Sequence, residues 1–282
     1  MSAPSSPASP ASLGDHLRHW RQQRRLSQLE LACDAGISAR HLSFIETGRS
    51  QPSAELLLRL AQQLDIPLRN RNSMLLAAGY APRYRERPLD DKAMQQTRSA
   101  IEAILHAHEP YPALAVDGHW HMLMANRALA PLLQGVDGAL LQGQVNVLRL
   151  SLHPRGVAPA IINLRQWRAH LLHRLSHQAA QTADPFLSAL LEELAAYPDE
   201  NSFSAAQPAA AHDGGDAIAV PLRLHAPGAP GNQLSLISTT MVFGTPQDIT
   251  LSELAVETFL PADGGTAQAL RDMLAGSAGL SS

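Results

Sequence analysis

The stretch SQLELACDAGISARHLSFIETGRSQPS, residues 27–53, constrains this chain more than any other part of it. Ser27 followed three residues later by Glu30 is a capping box, so a helix begins there and runs to about Ala35. Ser38 is placed to cap a second helix, and Gly48 to close it. Two helices joined by a sharp turn need a small residue where they cross and a residue that tolerates positive φ in the turn. They also need apolar side chains that lock the second helix down. Ala32, Gly36, Leu42 and Ile45 stand where those needs fall. The pattern is that of a helix-turn-helix, with an ordinary helical hairpin as the alternative.

The flanks extend this helical pattern. Leu13, Leu17 and Trp20 recur at spacings of four and three, which puts them on one face of a helix ending near Arg25. Ser53 opens a further helix through Leu64, and Pro67 suits the first turn of another. Five short helices thus fit into residues 13–79. Before them, residues 1–12 (MSAPSSPASPAS) have almost nothing to bury and are expected to form a disordered tail. After them, residues 80–91, with two prolines and a cluster of charges, are expected to form a linker.

The pattern then turns mixed. Residues 92–108 look helical, 112–126 read as two short strands about a turn at Gly118, and 160–196 carry two more helices. Residues 217–224, 233–243 and 253–259 alternate or are β-branched between Pro and Gly, the mark of an antiparallel sheet. Strands, then helices, then strands is an α+β order. The domain is expected over 92–263, with a C-terminal tail over 264–282.

Length and composition bound the function. At 282 residues, with 45% hydrophobic and 17% charged residues, the chain suits two globular domains. The net charge of −3 hides an excess of four positive charges in residues 1–90, as a polyanion-binding head on an acidic body would show. The single Cys33 forms no intramolecular disulfide, and neither a secretory leader nor an apolar span is evident, so a cytoplasmic location without membrane contact is expected. His170, His173 and His177 share a helical face and His119 and His121 alternate in a strand, but no cysteine or clear acidic ligand accompanies them, so no metal is expected. No Gly-x-Ser-x-Gly elbow, P-loop or dinucleotide fingerprint appears, so neither catalytic residues nor a cofactor are expected.

Residues 13–79 resemble the XRE family of phage-repressor-like regulators, with Gln28, Glu30, Leu31, Ala32, Gly36, Ile37, Glu46 and Gly48 in register. The resemblance implies double-stranded DNA as partner and assigns roles. Gln28 would hold a phosphate. Ala39, Arg40, Ser43 and Phe44 would form the exposed face of the recognition helix, with Ser38 at its start. Arg40 is suited to guanine O6 and N7, Phe44 to a thymine methyl or to packing within its own domain, and Arg49 and His41 to phosphate. Arg21 and Glu46 would form a buried salt bridge.

From Tyr80 onward, HEPYPALAVDGHWHMLMAN, NVLRLSLHPRG, NLRQWRAHLL and STTMVFGTPQDITLSELAVETFLPAD resemble the MmyB-like transcription regulators. That resemblance implies a PAS-like C-terminal domain that binds a small apolar molecule such as a fatty acid. Arg149, His153, Arg165 and His170 are the cations that an acidic ligand would meet. Trp120, Asn126, Asn146 and Trp167 are expected to be structural. The expected whole is an all-α five-helix DNA-binding domain followed by an α+β PAS-like domain, homodimeric on a palindromic operator. The alternatives are a C-terminal domain that only dimerises or binds a protein, or one that carries an enzymatic activity.

Overall fold

The computed structural model describes residues 12–198, 220–227 and 232–278. The tail expected over 1–12 therefore lies outside the described residues except for Ser12, as does part of the strand expected over 217–224. The chain forms two compact units, Met1–Glu86 with Pro246–Ser252, and Arg87–Thr245 with Glu253–Ser282.

The first unit is built on five helices: α1 (Leu13–Gln23), α2 (Gln28–Asp34), α3 (Ala39–Glu46), α4 (Ala54–Gln63) and α5 (Leu68–Ala77). Serine begins four of them. The hydroxyls of Ser12, Ser27, Ser38 and Ser53 accept from the amides of Asp15, Glu30, His41 and Leu56, and the first two close capping boxes. Each cap satisfies an amide that the helix leaves unpaired, worth ~1 kcal/mol. The amphipathic faces meet in a core of Leu17, Trp20, Leu31, Leu42, Ile45, Leu57, Leu60 and Met74, all almost fully buried. Gly36 takes φ +68° between α2 and α3, the left-handed conformation that the turn needs. Gly14 is small for a different reason: a Cβ there would lie 2.3 Å from the Glu46 carbonyl oxygen, so the backbones of α1 and the end of α3 can approach this closely only at glycine. The segment Pro246–Ser252 joins this unit where the Ile249 amide donates to the Arg85 carbonyl at 2.8 Å, with Asp248 and Ile249 both buried.

The second unit is a five-stranded sheet with helices. Its strands are β1 (Ala113–Val116), β2 (Met122–Ala125), β3 (Leu222–His225), β4 (Gln233–Val242) and β5 (Ala255–Pro261), in the order β2-β1-β5-β4-β3. Every pairing is antiparallel. Its helices are α6 (Gln95–Ala107), α7 (Val147–Leu152), α8 (Leu164–Thr182), α9 (Pro185–Ala195) and α11 (Gly264–Ala278); the short α10 (Ile249–Glu253), which precedes β5 in sequence, falls in the first unit except for Glu253. Alternation along β1 splits the interior. Leu114 and Val116 face a large core with Leu171 and Leu175 of α8 and Leu187, Leu190 and Leu194 of α9, whereas Ala113 and Ala115 face a smaller core with Ile101 and Leu105 of α6.

One expectation fails here. Residues 264–282, expected as a tail, contain α11, whose Leu270 is buried and whose Thr266 accepts from the Ser235 amide of β4. Residues 147–152 form α7, whose Leu148, Leu150 and Leu152 are all buried.

Candidate functional site

The exposed side of α3 is the first site. Ser38 fixes where α3 starts, and Gly48, at φ +71°, ends it by letting the amides of Arg49 and Ser50 turn back onto the Phe44 carbonyl. Ser38 and Arg40 are exposed, while Ala39, His41, Ser43 and Phe44 are half-buried. Arg40 and Phe44 lie four apart and meet: the guanidinium sits 5.3 Å above the ring centroid. The Phe44 ring therefore serves as a platform for Arg40 as well as a surface of its own. The Ser50 hydroxyl lies 3.5 Å from His41 Nε2.

Most other arginines of this unit are committed elsewhere. Arg24 donates to the carbonyls of Leu64 and Asp65, Arg59 to that of Ala35, Arg71 to that of Ile66, and Arg69 pairs with Glu86. Arg40 and Arg49, by contrast, have no hydrogen-bonding or ion-pair partner for their side chains among the described residues. Positive charge that sequence alone could only count is thereby sorted into structural and available groups.

Beneath this face, Glu46 is buried at 3% exposure and gathers three side chains. Arg21 donates to both its carboxylate oxygens, at 2.7 and 2.9 Å, and Gln28 Nε2 donates to Oε2 at 2.8 Å. Arg18 donates to the Glu46 carbonyl at 3.0 Å. Burial alone would raise the Glu46 carboxyl, but the bonds from Arg21 and Gln28 and the charges of Arg21 and Arg18 hold it below the usual carboxylate range. The same bond raises the Arg21 guanidinium. Gln28, which the resemblance assigns to a phosphate, gives one N–H of its side-chain amide to Glu46 and keeps a second.

The second site is a cavity of about 100 Å³ between the sheet and α7–α8. Its wall is chiefly aliphatic and aromatic, with Leu114, Trp120, Leu148, Trp167, Leu224 and Phe259 among its members. Such a wall suits an apolar guest. Trp120 and Trp167, expected to be purely structural, are wall residues whose N–H groups are already used. Trp120 Nε1 donates to Gln178 at 2.6 Å and Trp167 Nε1 to the Ser151 hydroxyl at 3.0 Å. Asn126 and Asn146 are structural in the plain sense. Asn126 bonds the backbone of Leu105, Tyr111 and Ala113, and Asn146 caps α7 and donates to the His119 carbonyl.

None of the four cations expected for a ligand lines this cavity. Arg149 is held bidentately by Glu193, which the Tyr197 hydroxyl also contacts; the bond to Arg149 holds the Glu193 carboxyl low, and burial with the Glu193 bond pushes the Tyr197 hydroxyl up. The His153 ring packs edge-on against Tyr197, and Arg165 is exposed on α8. His170 stacks on Trp167 outside the wall, its imidazole lowered by burial and by Arg174 and His173.

The cation that does line the cavity is Arg174, seven residues after Trp167 and three after Leu171, in register with the buried stripe of α8. That register was the available signal. Arg174 donates to both oxygens of Glu257 on β5, at 2.5 and 3.1 Å, and to the Thr240 hydroxyl at 2.7 Å, and lies 4.6 Å above the Trp120 ring.

Elsewhere, His119 bonds Asp184 and His121 bonds Asp117, while His173 and His177 pack ring to ring. Among the described residues no group of three His, Cys, Asp or Glu could hold a metal ion, and no helix is long and apolar enough to cross a membrane. Residues 17–69 match the family model of a helix-turn-helix, and residues 97–273 that of the MmyB-like transcription regulator ligand binding domain. No curated protein matches the chain. With a helix-turn-helix at one end and that domain over more than half its length, the chain belongs to the MmyB-like transcription regulators, DNA-binding proteins with a ligand-binding domain.

Proposed function

We propose that the chain acts in the cytoplasm as a homodimer that reads a palindromic operator, and that an apolar molecule of fatty-acyl type in the cavity changes its affinity for that operator. The observation that carries the DNA reading is the availability of Arg40. It is exposed on α3, steadied by Phe44, and unpaired, while most arginines around it serve the fold. Arg40 reads a guanine in the major groove; Ser38, Ala39, Ser43 and Phe44 shape its surroundings, and His41 and Arg49 meet phosphate. The second N–H of Gln28 and the backbone amides at the start of α2 hold a phosphate. Dimerisation follows from the few base pairs that one helix reads, which two half-sites related by a two-fold axis double.

Aliphatic walls support the ligand reading, since a chain that fills them removes apolar surface from water at ~25 cal/mol per Å². The ligand acts as a signal only if it binds the DNA-competent and incompetent states unequally. Selection of binding sites from random DNA by the full chain tests the first half. A recovered inverted repeat is expected, and a half-site without symmetry, or no enrichment, would overturn it. Operator titration at fixed salt, with and without a long-chain acyl compound, tests the second, and superimposed curves would overturn it.

A further inference from the structure

We propose that the cavity selects ligands with an uncharged polar head, such as an alcohol, ester or lactone, over ionised acids and amines. The inference rests on the cavity being the ligand site. The charged groups on its wall, Arg174 and Glu257, already neutralise each other. Glu257 is buried, with a side chain only 6% exposed; both its oxygens accept from Arg174, and the Thr240 hydroxyl donates to Oε1 at 3.0 Å. Arg174 is clamped in turn by Trp120 on one face and by Thr240 at its edge.

An acid drawn to Arg174 would bring a second carboxylate beside Glu257, against a wall of leucines and aromatic rings. Like charges there repel far more strongly than in water, and the acid loses its hydration on entry. An ammonium head meets the same problem at Arg174. A neutral oxygen accepts from the remaining guanidinium N–H groups, with the Ser238 hydroxyl also on the wall, and buries no charge. The clamp also keeps Glu257 from turning aside to leave Arg174 to an anion.

The test uses the full chain and three probes of one chain length: 1-dodecanol, laurate and dodecylammonium, below their aggregation limits and at about pH 8, where acid and amine are both ionised. The fluorescence of Trp120 and Trp167, both on the wall, reports binding. Dodecanol is expected to bind about tenfold or more tighter than either ion. Glu257→Gln, which removes the charge and keeps the shape, is expected to raise laurate affinity about tenfold and to leave dodecanol nearly unchanged. Should that variant fail to fold, the wild-type comparison decides alone. Laurate binding as tightly as dodecanol would overturn the selectivity and leave the cavity as ligand site. Failure of all three probes to bind would overturn both.

Discussion

Glu46 and Glu257 are buried alike, at 3% and 4% exposure, and each is gripped by both nitrogens of an arginine fork. Their surroundings differ. Glu46 lies in a seam filled by α1, the start of α2 and Gly14, whose missing Cβ lets the backbones close over it. Glu257 lies at the edge of open space. The same pair of groups thus fastens helices in one unit and sets the polarity of a cavity in the other. What surrounds an ion pair, more than the pair itself, decides whether it is structural or available to a ligand.

The largest effect should come from breaking each pair by removing its acid. Glu46→Ala leaves Arg21, whose side chain is only 12% exposed, without its charge partner and is expected to lower the unfolding free energy of the full chain by ~3–5 kcal/mol, read by urea denaturation. Glu257→Ala leaves Arg174, whose side chain is 30% exposed, with access to water in the cavity, and is expected to cost ~1–2 kcal/mol. Equal losses would erase the contrast. Next comes the seam itself: Gly14→Ala forces a Cβ against the Glu46 carbonyl and is expected to cost ~1–3 kcal/mol, by the same measurement.

A comparable effect, on binding rather than folding, is expected at the face above the seam. Arg40→Ala should weaken the selected operator by ~1–3 kcal/mol and flatten base preference at one position per half-site, whereas Arg49→Ala should weaken all sequences alike. A mismatch panel distinguishes them; a preserved base preference in Arg40→Ala would place the reading elsewhere on α3.

The smallest effect concerns acid. Because the folded state holds the Glu46 carboxyl below its ordinary value, its contribution is fully present above that value and fades as pH falls through the folded one. Stability of the wild type should therefore decline below about pH 4.5, and Glu46→Gln should show a shallower decline, by thermal melts across the acid range.

The helical unit was legible in the sequence because its devices are local. A serine cap, a glycine turn and a four-residue repeat each act within one or two turns of chain, and the strands near residues 113–125 and 233–261 announced themselves by alternation. The cavity was less legible because it depends on contacts across 60–80 residues. Arg149 and Arg174 look alike in sequence, and only the fold shows that Glu193 engages the first while the second faces the wall. The segment 264–278 begins with two glycines and offers few large apolar residues, so its helical pattern is faint; Leu270, Ala269 and Met273 suffice once the sheet is there to receive them.

The helical unit is assembled from two separated pieces of chain, since Pro246–Ser252 belong to it. On a ribosome, that last piece emerges only after β1 to β4 have been made, so the DNA-binding head is finished late although it begins first. A protease that nicks the chain between Glu86 and Arg87 leaves the two products each holding part of the same unit. Ile249 stays hydrogen-bonded to Arg85 across the cut, and the fragments should elute together until a denaturant parts them.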